Sequence, residues 1–296
     1  DLEHMVSQIR VLCGEDNAKG FRKYIEDNRT KLDLSKNCLN SPWRGPTDLL
    51  SRRAMRVAKV LRPWRSVSSD LSKVFSDERM QLAMSFQTKY LGMSPFQAPS
   101  LFTILAYLEY EHGVFHAEGG LGSITQKMGE IAKDLGVDIR LNEPVNDFVF
   151  EGKKVVGAIT ENGTYTADKF VMNVDFATGM KGLIPDKLRK KWSNKKLDEK
   201  SYSCSTYMLY LGLDKLYDTP HHQIYAAKDY QKNLKEVTEN KVTWDDPSIY
   251  VQNACVTDPT MAPEGHSTIY VLVPASSSHE GICLLYTSPS PRDSGQ

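Results

Sequence analysis

The sequence lacks the glycine spacings that usually identify a nucleotide-binding loop. Neither G-x-G-x-x-G nor G-x-x-x-x-G-K-[ST] occurs in its 296 residues, so no dinucleotide or triphosphate loop of those kinds is encoded here. His-Glu-x-x-His and Gly-x-Ser-x-Gly are also missing, and with them the familiar signs of a zinc peptidase or a serine hydrolase. Motif spacing alone therefore names no reaction and predicts no metal site.

Paired cysteines, long apolar runs and a net charge are missing too. The five cysteines stand singly without a C-x-x-C pair, which predicts no disulfide framework and suits a reducing, cytoplasmic location. No apolar run approaches the ~20 residues that span a bilayer. The 37 basic and 37 acidic side chains balance, so no global field indicates a nucleic-acid partner.

The spacing of apolar residues predicts helices first and strands later. Helices are predicted over residues 1–40 (with breaks at Gly14 and Gly20), 47–61, 76–92, 99–112, 123–135 and 229–239. Strand-like runs cover residues 137–141, 145–150, 155–160, 169–174, 205–213, 249–256 and 268–274. The first four runs, with a turn at Asn162-Gly163, predict a β-meander. The expected fold class is α/β in a mixed, α+β arrangement.

One predicted helix is strongly basic. Residues 47–61 place leucine, alanine and valine on one face and arginine and lysine on the rest. Such a helix either packs its apolar face on the core or lies on an anionic membrane surface. The sequence leaves both alternatives open.

Two short segments are candidate binding elements. Gly119-Gly120 precedes a predicted helix, so its amides could face an anion or cofactor, although a close-packing turn is the alternative. The adjacent His221 and His222 are expected to point in opposite directions if they lie on a strand. Without a third ligand they predict no metal site.

The carboxyl-terminal residues read differently from the rest. Residues 283–293, CLLYTSPSPRD, resemble the in-frame translation of a sequencing adapter, so residues 283–296 are expected to be non-native. A Ser/Pro-rich disordered tail is the alternative.

An ordered series of short segments resembles the bacterial-type phytoene desaturases, which are FAD-dependent oxidoreductases of the amine-oxidase-like superfamily. The segments are Trp64-Arg65-Ser66-Val67, residues 91–96, residues 113–120, residues 210–213 and Val256-Thr257-Asp258-Pro259. The resemblance extends over nearly all of residues 1–275.

The resemblance implies a function that motif spacing does not. It implies FAD-dependent, stepwise dehydrogenation of phytoene to conjugated carotenoids such as neurosporene or lycopene, by a cytoplasmic protein bound peripherally to the membrane. It also implies an internal fragment of a two-domain fold, beginning after the dinucleotide-binding motif and ending before a second flavin-contacting segment. Such a fragment is expected to hold no FAD and to be inactive alone.

Site residues and domains follow from the same resemblance. Val145 is expected to meet the adenine through its backbone, and Glu118, Gly119 and Gly120 to lie near the flavin ring. Trp64, Arg65, Phe86, His221 and His222 are expected to line the substrate side, and no catalytic residue is assigned. The expected domains are a helical substrate- or membrane-facing region (1–120), part of the FAD-binding domain with the meander (121–180) and a substrate-domain sheet with helices (181–282).

Two other functions stay open at this point. One is a carotenoid cis–trans isomerase on the same scaffold, in which the flavin acts without net oxidation. The other is a non-catalytic module that binds a hydrophobic ligand.

Overall fold

In the computed structural model of this chain, residues 2–42, 44–45, 47–48, 51–200, 202–239 and 246–276 are described. Backbone contacts divide them into two compact units. The first joins the residues up to Gly119 with those from Ser203 onward, and the second comprises Gly120–Tyr202. The tail predicted to be non-native, residues 283–296, lies outside the described residues.

The amino-terminal part of the first unit is helical, as predicted. Its helices are α1 (Leu2–Cys13), α2 (Glu15–Leu39), α3 (Arg52–Leu61), α4 (Val67–Leu71), α5 (Glu78–Ser85) and α6 (Ile104–His112), with 3₁₀ turns at Phe86–Leu91 and Ser100–Thr103. Their apolar faces share one core, which includes Val6, Phe21, Tyr24, Leu71, Phe75, Met84 and Tyr107. The helices are therefore held together by burial of one continuous apolar cluster.

The two predicted breaks in the first helical segment differ. Gly14 adopts φ +88° and separates α1 from α2, as expected. Gly20 lies inside α2, so the prediction of a break there is wrong. A β-carbon at Gly20 would lie 2.5 Å from the carbonyl oxygen of Val74, so this glycine provides space for a close backbone approach rather than ending the helix.

The basic helix α3 begins after Ser51, whose side chain accepts a hydrogen bond from the Ala54 amide. It ends before Pro63, at a left-handed Arg62 with φ 48°. Ala54 and Val57 are buried. The apolar face therefore packs inward, in agreement with the first of the two alternatives, while Met55 remains 55% exposed.

The remainder of the first unit is an antiparallel sheet. Strands β4 (Ser205–Leu213), β5 (His222–Tyr225), β6 (Ile249–Asn253) and β7 (Ser267–Ala275) pair in the order β4-β7-β6-β5. Helix α10 (Tyr230–Thr238) lies between β5 and β6 in sequence, as predicted. The short strand β5 was not predicted, since only four residues are extended there.

The second unit contains the meander. Helix α7 (Leu121–Asp134) is followed by Gly136 at φ +85° and by the antiparallel strands β1 (Asp147–Glu151), β2 (Lys154–Thr160) and β3 (Gly163–Thr166). Helices α8 (Phe176–Leu183) and α9 (Asn194–Asp198) complete the unit. The mixed helix-and-strand class is confirmed, with antiparallel pairing in both sheets.

Three features of the second unit differ from expectation. The third meander strand is β3 rather than residues 169–174, and residues 137–141 are also not a strand. An extended run needs a neighbouring ladder to become a strand, and among the described residues neither run has one. The apolar face of α7 is exposed, with Leu121 at 78% and Leu135 at 80%.

Candidate functional site

Asp258 connects two distant parts of the first unit. Its carboxylate is 5% exposed, and its Oδ2 accepts hydrogen bonds from the Gly119 amide at 2.8 Å and from His116 Nε2 at 3.0 Å. Its Oδ1 accepts from the Thr260 amide at 3.1 Å and from the Thr260 hydroxyl. The hydrogen bonds from Thr260, together with those from Gly119 and His116, lower the pKa of Asp258 to about 2. The carboxylate is thus a fixed negative charge that holds the segment before α7.

Residue His221 has both ring nitrogens engaged. The Gln252 amide donates to His221 Nε2 at 3.3 Å, so this nitrogen is the acceptor. His221 Nδ1 then donates to the Thr257 hydroxyl at 2.7 Å, which donates to the Ala254 carbonyl. This chain of donors assigns a neutral His221 with its proton on Nδ1. Burial, assisted by the neighbouring His222 and His116, lowers the pKa of His221 and favours the same neutral form.

Three imidazole rings are adjacent at this end of the sheet. The rings of His221 and His222 are stacked with centroids 4.3 Å apart, and His116 meets His221 edge-on at 5.6 Å. The expectation that His221 and His222 point in opposite directions held only if both lay on a strand, and they do not. His221 lies one residue before β5, so the alternation of side chains along a strand does not apply to it.

An aromatic row runs from this cluster across the sheet. We define it as His222, Tyr250, Tyr270 and Tyr210, which lie on β5, β6, β7 and β4 in that spatial order. Successive centroids are 5.9, 5.9 and 5.3 Å apart, and His222 Nδ1 lies 2.7 Å from the Tyr250 hydroxyl. Burial raises the pKa of both Tyr250 and Tyr270, so their hydroxyls are neutral donors at physiological pH.

The row forms a partly open surface rather than a sealed core. Tyr210 is 76% exposed and Ile224, on the same face, is 47% exposed. Within the described residues, no group of three or more His, Cys, Asp or Glu side chains is arranged to hold a metal ion. The arrangement can present neutral rings to an apolar ligand and can hold a neighbouring main-chain turn in place.

Glycines 119 and 120 form that turn. Both have positive φ, 76° and 79°, and Gly120 caps the amino terminus of α7. The exposed Glu118 precedes them. The structure therefore brings Gly119 close to His221, because Asp258 binds both Gly119 and His116 and the His116 ring meets that of His221.

The other predicted site residues lie elsewhere. Trp64 is 67% exposed, just before α4, and Arg65 Nη1 binds Asp70 Oδ1 at 3.1 Å. Phe86 lies in a 3₁₀ turn beneath Lys89, whose Nζ is 4.9 Å from the ring centroid. In the second unit, Val145 is 41% exposed and precedes β1 by two residues. The sequence-predicted roles of these residues stay predictions.

Sequence reasoning gave no role to several residues of this site. No function was assigned from the sequence to four of them: His116, Tyr250, Thr257 and Asp258. At most they belonged to a segment that resembles the family. An aspartate before a proline is a typical cap signal, and Asp258 does cap the 3₁₀ turn Pro259–Met261. No local signal could connect Asp258 with Gly119, which is 139 residues away.

Comparison with known proteins gives consistent results. A family described as flavin containing amine oxidoreductase matches residues 65–282. A 4,4'-diapophytoene desaturase (4,4'-diapolycopene-forming) from Methylomonas sp. is 38% identical over 95% of this chain and 55% of the relative. An all-trans-zeta-carotene desaturase from Myxococcus xanthus is 33% identical over 99% and 56%. A 4,4'-diapolycopen-4-al dehydrogenase from Metabacillus indicus is 32% identical over 88% and 52%.

The chain spans about half the length of these curated relatives. Among solved structures, an oxidoreductase from Methanosarcina mazei superposes with a TM-score of 0.51 at 16% identity, over 78% of this chain and 54% of that one. At that identity the similarity establishes the fold and nothing about the reaction.

Proposed function

The chain belongs to the family of flavin-containing amine oxidoreductases, and from that premise we propose that the whole protein is an FAD-dependent carotenoid desaturase. It would remove hydrogen stepwise from a long apolar polyene such as phytoene or its diapo-analogue. The names of relatives between 32% and 38% identical, all of which concern carotenoid oxidation, support this proposal.

The aromatic row is the observation that carries the proposal. Four rings cross three strand spacings of ~4.8 Å each, which gives an apolar track of roughly 14 Å. A rod-shaped hydrocarbon laid on this track would bury apolar surface at about 25 cal/mol per Å². Flat aromatic rings suit a conjugated chain.

The residues present fit contacts with a flavin nucleotide. The amides of Leu121 and Gly122 precede the first hydrogen-bonded turn of α7 and follow Gly120 at φ 79°, which suits an anionic group of the cofactor. Val145 is 41% exposed and precedes the β1–β2 ladder, a position that suits backbone contact with an adenine. When bound, the flavin supplies the two-electron acceptor that no side chain provides.

In this proposal the residues of this chain hold the site in shape and take no part in the chemical step. Asp258 holds the His116–Gly119 segment by two hydrogen bonds, which fixes the course of the main chain up to Gly119. His221, neutral and doubly hydrogen-bonded, holds Thr257 beside Asp258. We assign no proton transfer to any of them.

Expression of the complete gene in phytoene-producing cells tests the proposal. Each desaturation removes a pair of hydrogen atoms and shifts the absorption to longer wavelength. An isomerase would convert the substrate into a product of the same mass. A non-catalytic binding module would leave the substrate unconverted. Conversion without loss of hydrogen would overturn the desaturase and favour the isomerase.

A matched pair of variants tests the aromatic row. Tyr250→Leu interrupts it, whereas Tyr225→Leu removes a 53%-exposed tyrosine at an odd-numbered position of β5, on the opposite face. We expect product to fall by about tenfold or more for Tyr250→Leu because ligand positioning is lost, with little change for Tyr225→Leu. Equal effects would exclude the row as the substrate surface.

Contact with a cytoplasmic membrane surface is part of the same proposal. No helix within the described ranges is long and apolar enough to cross a membrane. Trp64 and Met55 are instead exposed beside basic residues of α3, a combination that suits the bilayer interface. Flotation with anionic liposomes should weaken for Trp64→Ala with Met55→Ala, and not for Val171→Ala, which removes a 94%-exposed side chain elsewhere.

A further inference from the structure

The helical part of the first unit contains a pocket that shares no residue with the aromatic row. It has a volume of about 220 Å³ and is formed by α2, the end of α3, α4 and the segments that follow α4 and precede α6. Because one water occupies about 30 Å³ of liquid volume, the pocket can hold a ligand of several heavy atoms. We call it the cation pocket because of its lining.

Positive charge predominates in the cation pocket. Its ionisable lining comprises the cations Lys23, Lys31, Arg62, Arg65 and Lys73 and the carboxylates Asp27 and Asp70. Five cations against two carboxylates leave an excess of three positive charges. Concentrated in one concave site, such an excess attracts anions more strongly than the same charges would on a flat surface.

Two carboxylates are shared among three of the cations. Asp70 lies 3.0 Å from Arg62 Nε and 3.1 Å from Arg65 Nη1. Asp27 binds both Lys31 Nζ, at 3.0 Å, and the guanidinium of Arg62. The internal ion pairs therefore leave at least one of these three cations without a full counter-charge.

The remaining two cations have no carboxylate partner. Lys23 and Lys73 are exposed at the rim, and neither forms an ion pair with any residue that the structure describes. Their ammonium groups can rotate toward a ligand without breaking an existing contact. They supply the adjustable part of the site.

Lys31 supplies the buried part. Its side chain is 2% exposed, and Nζ donates to the Thr103 hydroxyl at 2.9 Å. Burial lowers the pKa of Lys31 despite the neighbouring Asp27, so the charged form is incompletely compensated. An anion in the pocket would restore that compensation.

We propose that the cation pocket binds a phosphate group, carried either by free phosphate or by the headgroup of an anionic phospholipid. The guanidinium groups of Arg62 and Arg65 and the ammonium groups of Lys23 and Lys73 match the several acceptor oxygens of a phosphate, and Lys31 adds positive charge behind them. Trp64, the neighbour of the lining residue Arg65 in sequence, is 67% exposed, which suits contact with the lipid that carries such a headgroup. This inference does not depend on the desaturase activity.

Binding of inorganic phosphate to the chain at constant ionic strength tests the site. Wild type should bind saturably by titration calorimetry. Lys23→Glu with Lys73→Glu should weaken the affinity by about tenfold or more. The control, Lys153→Glu with Lys154→Glu, makes the same charge change at exposed positions of the β1–β2 turn and should bind like wild type. Absence of binding by wild type, or equal weakening by both double variants, would overturn the proposal.

Vesicles distinguish the two sources of phosphate. Phosphatidylcholine vesicles are compared with vesicles that also contain phosphatidic acid. If phosphatidic acid increases binding to vesicles, and the double variant Lys23→Glu with Lys73→Glu abolishes that increase, the ligand is the headgroup. If the chain binds phosphate but phosphatidic acid does not increase vesicle binding, the ligand is free phosphate. If the glutamate variant does not fold, Lys23→Gln with Lys73→Gln replaces it in both assays, and unchanged affinity there would likewise overturn the proposal.

Discussion

One oxygen of Asp258 joins two segments that are far apart in sequence: it accepts from Gly119 N at 2.8 Å and from His116 Nε2 at 3.0 Å. Asp258→Asn keeps one acceptor oxygen but removes the charge and the second oxygen. We expect the melting temperature to fall by about 3 °C or more because the hydrogen bonds to this buried carboxylate are lost or weakened. Asp168→Asn, at an exposed position, is the control. An equal effect of both would contradict this role.

The same carboxylate predicts a pH dependence. The pKa of Asp258 is about 2 in the fold, below the ~3.9 of an unfolded aspartate. Its contribution to stability is therefore fully present above about pH 4 and is lost as the pH falls toward 2. Denaturant unfolding of wild type and Asp258→Asn between pH 6 and pH 2.5 should show a difference that narrows in that window. A constant difference would argue against the lowered pKa.

Replacing two helical glycines with alanine should change the free energy of unfolding in opposite directions. A β-carbon at Gly20 would meet the Val74 carbonyl oxygen at 2.5 Å, whereas at Gly129 it would meet nothing within 4 Å. Gly129→Ala should gain about 1 kcal/mol from helix propensity. Gly20→Ala should instead lose about 1–3 kcal/mol through overpacking against backbone. Urea unfolding measures both, and a gain at Gly20 would show that the backbone moves aside.

Asp70 should matter more than a surface carboxylate. It is 7% exposed at its side chain and accepts a hydrogen bond from Ser100 in addition to its contacts with Arg62 and Arg65. Asp70→Ala leaves Arg65 without this carboxylate and Arg62 with Asp27 alone, and should cost about 3 kcal/mol of unfolding free energy. Asp33→Ala, which breaks an exposed pair with Lys36, should have no measurable effect.

Lys89 should titrate apart from the other lysines. Burial lowers its pKa to about 8, and its Nζ lies 4.9 Å from the ring centroids of Phe86 and Tyr230. An unfolded lysine titrates near 10.4. The folded pKa is the lower one, so stability should increase as the pH rises from about 8 to about 10. Lys89→Met should remove that increase. NMR of ¹³C-methylated lysines should show a signal with a midpoint near 8 that is absent from Lys89→Met.

Local sequence patterns were sufficient to predict the elements whose structure depends mainly on neighbouring residues in the chain. The periodicity of residues 123–135 and the following Gly136 predicted α7 within two residues at either end, because i, i+3, i+4 spacing and a left-handed cap are local properties. The long strands β4 and β7 were predicted from their runs of β-branched and aromatic residues. The short strand β5 and the break at Gly20 were misjudged because pairing and close approach depend on partners elsewhere in the chain.

The candidate site likewise contains residues that the sequence predicted and residues that only the tertiary structure revealed. The sequence by itself singled out Gly119-Gly120 and His221-His222, and the family resemblance connected them with a flavin and a polyene. Only the tertiary structure placed Asp258 between them and aligned His222, Tyr250, Tyr270 and Tyr210 across four strands. Strand order and register determine which side chains become neighbours, and a single sequence records neither. The cation pocket was equally hidden, because its charges come together only when α2 and α4 pack.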